Sequence, residues 1–255
     1  MNMNNKLSFI GIIPARYDSS RFPGKPLAKI GDKTMIERVW TQAKKALENV
    51  CVATDDLRIF EEVKRFGGEV VMTDKNHQSG TDRCYEAYLN VGSNADVIIN
   101  IQGDEPFVHE SQIYELKKCF DSEKTDIATL ARKFDADKGF EYLSDWTKPK
   151  VVFDNNFNAL LFSRSVIPFV RNSSAEEWTK HTDFYMHVGM YAYRASILKE
   201  ITRLKRSSLE MAESLEQLRW LQNGYKIKIG ITQLETIGID TPDDLTRAIT
   251  FLTHE

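Results

Sequence analysis

Phe9-Ile10-Gly11-Ile12-Ile13-Pro14-Ala15-Arg16-Tyr17-Asp18-Ser19-Ser20-Arg21-Phe22-Pro23-Gly24-Lys25-Pro26-Leu27 is a short apolar run that stops at a proline and opens into a basic loop. A continuous apolar run of this length fits a strand buried on both faces of a parallel sheet. Ligands of open parallel sheets bind just past the carboxyl ends of the strands, which is where this loop stands. Arg16, Arg21 and Lys25 supply the cations, Pro23 and Pro26 stiffen the backbone, and Gly24 permits a close approach. Forked guanidinium donors with a lysine point charge suit a triphosphate. The loop is not a Walker A motif, because Ser19 stands where glycine is required and Pro26 replaces Ser/Thr; no G-x-G-x-x-G occurs either. A solvated basic turn is the bland alternative.

Working outward, Thr34-x-x-Glu37 reads as a capping box followed by apolar positions Ile36, Val39, Trp40, Ala43 and Leu47 at helical spacing. Short apolar strands are expected at 50–53, 69–72 and 97–101. Helices are expected at 56–66, closed by Gly67-Gly68, and near 81–91. Strand, loop and helix in alternation predict an α/β fold with a mostly parallel sheet and helices on both faces. The rhythm changes near residue 125. Strands are expected at 126–133 and 150–163 with a broken helical piece between them, then a polar, mobile loop at 171–182 and a long strand at 184–194. Helices at 195–204 and 210–223, a strand at 226–232 and a helix from Pro242 complete the expectation. The chain reads as one domain, 1–255, with 126–194 as an inserted subdomain.

With 255 residues the chain can bury a sizeable core without staples. Lys+Arg number 34 and Asp+Glu 37, so the formal charge is 34 − 37 = −3, which argues against nucleic-acid binding through bulk positive charge. Cys51, Cys84 and Cys119 are widely spaced and form no C-x-x-C, as expected of buried thiols in a reducing compartment. The apolar run Phe9–Ile13 is too short for a signal segment or a membrane span, so a cytoplasmic protein with no membrane partner is expected.

Further constellations carry chemistry. In Asn100-Ile101-Gln102-Gly103-Asp104-Glu105-Pro106, Asp104 lies just past a strand on the same sheet edge as the basic loop. Mg²⁺ takes one or two carboxylates and completes its shell with phosphate and water, so Asp104 is a ligand candidate; an Asx-turn fits it too. Glu105 reads as a cap or a cation partner. In Gly238-Ile239-Asp240-Thr241-Pro242-Asp243-Asp244-Leu245, Thr241 reads as an N-cap, Pro242 as N1, and Asp243 and Asp244 suit the positive helix end. Asp240 is left over as a second carboxylate. In His77-Gln78-Ser79-Gly80-Thr81-Asp82, Ser79 or Thr81 caps the next helix while other groups are free to read a base edge. Alternation along 184–194 puts Tyr185, His187, Gly189, Tyr191 and Tyr193 on one face and an apolar set on the other. Such a face can bind a polyhydroxylated ligand, and a core histidine beneath aromatics fits the same pattern. Arg164 ends a neighbouring strand. Leu215, Leu218 and Leu221 form a core stripe, with Glu216 and Gln217 at the surface by default.

The ordered set PARYxSxRFPGKPL (14–27), HQSGTDR (77–83), NIQGDEP (100–106), FSRxxIP (162–168), HVGMYAYR (187–194), SLEQLR (214–219) and GIDTPDDL (238–245) spans nearly the whole chain. It resembles the 3-deoxy-manno-octulosonate cytidylyltransferases, or CMP-Kdo synthetases. The resemblance implies a Rossmann-like fold of the nucleotide-diphospho-sugar transferase type, with a mixed α/β subdomain for sugar binding and dimerisation. It also implies Mg²⁺ dependence, a homodimer, and CTP and Kdo as substrates, giving CMP-Kdo and diphosphate for lipopolysaccharide synthesis. By the same resemblance Arg16, Lys25, Asp104 and Asp240 form the catalytic group, with Asp104 and Asp240 on the metal and Arg16, Arg21 and Lys25 on the CTP phosphates. Ser79 and Gly80 would read cytosine, Arg21 and Gln102 would lie near the sugar acid, and Arg164, His187, Tyr191, Glu216 and Gln217 would bind it. Two positions depart from the pattern: Arg206-Ser207-Ser208-Leu209-Glu210 lacks the proline expected before Leu-Glu, and Ala192 stands where glycine is expected.

Overall fold

The computed structural model describes residues 7–19, 21–235 and 238–252. In chain order, β1 (Phe9–Ala15) leads through a 3₁₀ turn (Lys25–Leu27) to the ribbon β2 (Lys29–Ile30) and β3 (Lys33–Thr34), then α1 (Met35–Ala46) and β4 (Asn49–Thr54). Next come α2 (Leu57–Arg65), β5 (Glu69–Met72), α3 (Gly80–Asn90), β6 (Val97–Asn100), α4 (Glu110–Lys118) and β7 (Ile127–Lys133). Then follow α5 (Gly139–Ser144), β8 (Lys150–Phe153), β9 (Ala159–Ser163), a 3₁₀ turn (Ala175–Lys180) and β10 (Tyr185–Arg194). The chain continues with α6 (Ala195–Ile201), α7 (Ser208–Glu213), α8 (Gln217–Gln222), β11 (Ile227–Thr232) and α9 (Pro242–Leu252). It divides into two compact units: Met1–Tyr114, Met190–Thr202 and Thr236–Glu255 in the first, Glu115–Gly189 and Arg203–Glu235 in the second.

In the first unit β6, β1, β4 and β5 lie parallel, and the end of β10 pairs antiparallel with β6. All four residues of β6 and five of the six in β4 are buried, as strands covered on both faces must be. Thr34 caps α1 by accepting the Glu37 N–H, but the Glu37 carboxylate pairs with Lys33 and Arg65, so only half of the expected capping box forms at this helix start. The continuous apolar runs become strands because their side chains have helices to pack on either side; α1 and α3 both lie against β1 and β4.

In the second unit β7 and β11 pair in parallel from Ile127↔Ile227 to Arg132↔Thr232, and β8 pairs antiparallel with β9 and with β10 at Met186. The compact unit therefore differs from the expected 126–194 insertion. Pairing of β11 with β7 draws 203–235 into it, while the β10 residues from Tyr191 onward pair with β6 in the first unit. Two local expectations are corrected. The span 171–182 is not a loop throughout: it holds a 3₁₀ turn whose Trp178 is buried in a cluster with Phe134, Leu143, Phe184 and Met186. The helix expected at 210–223 is two helices, split at Ser214, which adopts a left-handed conformation (φ 51°). The missing proline before Leu209 has a substitute: Ser207 and Glu210 form a full capping box that starts α7.

Candidate active site

The basic loop leaves β1 and returns on itself. Gly24 N–H donates to the Tyr17 carbonyl at 2.9 Å, and the Tyr17 ring lies beneath the Arg58 guanidinium, 3.3 Å from the ring centroid. Gly24 has φ 72°, and a Cβ there would stand 3.0 Å from the Tyr17 ring, so both backbone and space call for glycine. Gly103 is demanded by space alone, because a Cβ would lie 2.7 Å from the Pro14 carbonyl oxygen. That approach brings the Gln102–Asp104 turn against the end of β1.

Two carboxylates far apart in sequence meet here. Ile239 N–H donates to the Asp104 carbonyl at 2.9 Å, which lays the segment before α9 alongside the turn after β6. Lys25 Nζ then bonds Asp104 Oδ2 at 2.7 Å and Asp240 Oδ1 at 3.2 Å, and Arg21 Nη2 reaches Asp240 Oδ2 at 2.9 Å. Asp243 and Asp244 were expected to serve the helix end, and Asp244 does: its Oδ2 accepts the Asp240 and Thr241 N–H groups, while Thr241 Oγ1 accepts the Asp244 N–H. This cap leaves the Asp240 side chain to face Lys25.

A cleft of about 340 Å³ opens at this point in the first unit. Arg16, Arg21 and Lys25 line it from the basic loop, Ser79 and Gly80 from the start of α3, Gln102 and Asp104 from the turn after β6, and Asp240 from the segment before α9. Ser79 is the cap of α3, accepting the Asp82 N–H at 3.1 Å. Among the described residues no group of three or more His, Cys, Asp or Glu side chains forms a metal cluster, so a cation here would have two carboxylates and exogenous oxygens as ligands.

The remaining candidates are held by local partners. In the second unit Arg164 donates from Nε to the Glu213 carbonyl (2.6 Å), from Nη1 to the Trp146 carbonyl (3.0 Å) and from Nη2 to the Ser214 carbonyl (3.3 Å). Its backbone N–H and the Ser163 hydroxyl both donate to the Glu213 carboxylate. Arg164 is therefore tied to the turn that precedes Glu216 and Gln217. Glu216 receives Arg219 Nη2 at 3.2 Å, and Arg219 also forks onto the buried Glu210 at 2.8 and 2.9 Å. Gln217 is not at the surface as expected: it is 4% exposed, and its Nε2 has no hydrogen-bond partner. His187 Nε2 meets Thr129 Oγ1 at 3.0 Å, its ring lies edge-on to Phe162, and burial pushes its pKa down to about 3, which keeps it neutral. In the first unit Tyr191 is buried, opposite Asn100 of β6, and stacks with Tyr193 at 6.0 Å between centroids.

Arg83 and the pairing of His77 were not singled out in the sequence, and the reading of Glu105 as a cap or a cation partner is corrected. Arg83 lines the cleft, is buried, and donates to Asp55 Oδ2 (2.7 Å) and Thr73 Oγ1 (2.5 Å); its signal was its place four residues after the Ser79 cap, one helical turn along α3. His77 lines the cleft too and pairs with Glu86. Glu105 neither caps nor pairs. It is buried with Oε2 unpartnered, and burial, aided by the Asp104 charge, pushes its carboxyl up to about 8.

Residues 10–229 match the family model described as cytidylyltransferase. The chain is 59% identical over 249 residues to the 3-deoxy-manno-octulosonate cytidylyltransferase of Parabacteroides distasonis, covering 97% of this chain and 99% of that one. It is 60% identical over 246 residues to that of Phocaeicola vulgatus, covering 96% and 98%. Among solved structures it is similar to CMP:2-keto-3-deoxy-manno-octonic acid synthetase complexed with CTP, with a TM-score of 0.88 and 37% identity over 97% of this chain and 99% of that one.

Proposed function

The chain belongs to the cytidylyltransferase family, among the 3-deoxy-manno-octulosonate cytidylyltransferases, and on that premise we propose that it activates Kdo: CTP and 3-deoxy-D-manno-octulosonate give CMP-Kdo and diphosphate, the product serving lipopolysaccharide assembly. The observation that carries this reading is the convergence of Asp104 and Asp240 on the Lys25 ammonium, in a cleft that the basic loop lines. Arg16, Arg21 and Lys25 bind the triphosphate. Exposed ion pairs such as Arg21–Asp240 are worth little in water, so phosphate oxygens displace them at small cost. Ser79 and Gly80 present the start of α3 to the base. Arg164, His187, Tyr191, Glu216 and Gln217 are the side chains proposed to hold the sugar acid, with Arg21 and Gln102 near it, and a neutral His187 acts there as a hydrogen-bonding group rather than a cation.

The anomeric hydroxyl of Kdo attacks the α-phosphorus in line and diphosphate leaves. Charge builds on phosphate oxygens, so catalysis rests on positioning and electrostatics. The donor set fits Mg²⁺: two hard carboxylates already gathered around one positive charge, with room for phosphate and water. Asp104 and Asp240 would hold the ion, which when bound supplies charge neutralisation at the phosphates and a lowered pKa for the attacking hydroxyl. Lys25, released from the two carboxylates, carries its charge to the phosphate oxygens.

Two finer readings go with this one. No helix among the described residues is long and apolar enough to cross a membrane, and the described cysteines are free and buried, which supports a cytoplasmic enzyme. The second unit exposes Trp146, Leu160 and Phe169, apolar surface that a partner subunit in a homodimer would cover; sedimentation of the purified chain as a monomer at micromolar concentration would refute the dimer. The reaction itself is tested by diphosphate release from CTP and Kdo with and without Mg²⁺. Release that needs both substrates and the metal is expected. No release, or preference for another acidic sugar, would overturn the assignment.

A further inference from the structure

The stretch 74–79 forms one wall of the cleft through His77, Gln78 and Ser79. Its ends are fixed by ordinary means: Thr73 N–H donates to the Thr54 carbonyl at 2.8 Å, and Ser79 caps α3. Inside, it bonds chiefly to itself. Asp74 Oδ1 accepts the Asn76 N–H at 2.8 Å and Asn76 Nδ2 at 2.9 Å, and Gln78 Nε2 donates to the Asn76 carbonyl at 2.8 Å. Glu86, on α3, ties the middle of this wall to the helix. Its Oε2 accepts the Asp74 backbone N–H at 2.8 Å and also receives His77 Nε2. Burial raises the Glu86 pKa, but the Asp74 N–H and the His77 ring outweigh it and leave the carboxyl below its usual range. The anchor is thus an ionised carboxylate with two donors on one oxygen, the stronger kind of hydrogen bond.

We propose that Glu86 is a positioning residue for recognition of the cytosine base, acting through His77 and the Asp74 backbone to hold the wall 77–80 in shape. The proposal rests on the reading that this wall faces the base of CTP. Glu86 itself touches no substrate. Without it the wall keeps its ends and its internal bonds but loses its tie to α3, so base discrimination falls while phosphate and sugar-acid binding persist.

The test is steady-state diphosphate release by the full chain, with CTP or UTP and with the sugar acid varied, for Glu86→Ala, Glu86→Gln, His77→Ala and the double variant His77→Ala/Glu86→Ala. Losing a charge-assisted pair of bonds should raise the KM for CTP about tenfold and shrink the CTP-over-UTP ratio of kcat/KM by a similar factor in Glu86→Ala. The KM for the sugar acid and kcat should stay within about twofold, since those groups do not hang from the wall. Glu86→Gln, whose amide oxygen still accepts the Asp74 N–H, should restore most of the loss. The double variant should be no worse than Glu86→Ala, because both changes cut one linkage. An unchanged KM for CTP, an equal rise in the KM for the sugar acid, or additive losses in the double variant would each overturn the proposal. If Glu86→Ala does not fold, Glu86→Gln and His77→Ala still read the linkage. If the wild type turns over no CTP with Kdo, the proposed reaction fails instead, and calorimetric titration of CTP and UTP into the same variants still decides the role of Glu86.

Discussion

The candidate residues of the first unit and those of the second are held in opposite ways. At the end of β1, Lys25, Arg21, Asp104 and Asp240 satisfy one another through ion pairs that open onto a cleft. In the second unit, Arg164 bonds three backbone carbonyls, and Glu210 and Arg219 form a buried, forked pair. The first arrangement can exchange its partners for phosphate oxygens at little cost. The second contains a charge pair that cannot part without leaving a buried charge unsatisfied. One is a set of exchangeable charges and the other a frame that fixes the turn carrying Glu216 and Gln217. Function therefore asks different things of side chains that look alike in sequence.

That contrast can be broken by substitution. Glu210→Ala leaves Arg219 buried without its forked partner and should cost about 3–5 kcal/mol of stability, read by urea unfolding. A loss near zero would mean that α7 and α8 do not depend on the pair. Asp104→Asn and Asp240→Asn should cut turnover on the order of 10²–10³-fold with little change in melting temperature; near-wild-type rates at saturating Mg²⁺ for both would remove the two carboxylates from the site. Arg164→Ala should destabilise by only about 1 kcal/mol, since water can reach the carbonyls it leaves, and should also raise the KM for the sugar acid. A rise in the KM for CTP alone would move Arg164 out of the sugar-acid pocket. The smallest effect concerns pH. His187 is pushed down from 6.5 to about 3, so the unfolded chain takes up a proton that the folded one refuses. The His187 contribution costs nothing above about pH 6.5 and lowers stability increasingly as pH falls from there toward 3. His187→Gln should flatten the fall in melting temperature between neutral and mildly acid pH, and an unchanged slope would show that the imidazole is solvated.

Much of the first unit was legible because its signals are local. Apolar runs bounded by turn residues gave β1, β4, β5 and β6 to within one or two residues, and the cap chemistry of Ser79 and Thr241 lies within three positions along the chain. The break at Ser214 carried no glycine or proline to announce it; it is fixed by Arg164 holding the Glu213 and Ser214 carbonyls. Trp178 looked like part of a polar loop because its aromatic neighbours, Phe140, Phe169 and Phe184, are distant in sequence or hidden among polar residues. Gln217 read as a surface group, and Glu105 as a cap or a cation partner, for the same reason: burial belongs to the assembled fold, not to a residue's immediate neighbours.

The amino-acid sequence by itself determined the alternation of strands and helices, the basic loop after β1, and the family to which its ordered motifs belong. Those follow from periodicity, caps and turns, all of which act over a few residues. Only the tertiary structure decided that Lys25 bridges Asp104 and Asp240, that Arg164 serves carbonyls, and that Glu86 holds His77. Each of these is a choice of partner. A charged side chain has many partners available to it in the sequence, and the packed backbone selects among them by bringing a few within hydrogen-bonding distance.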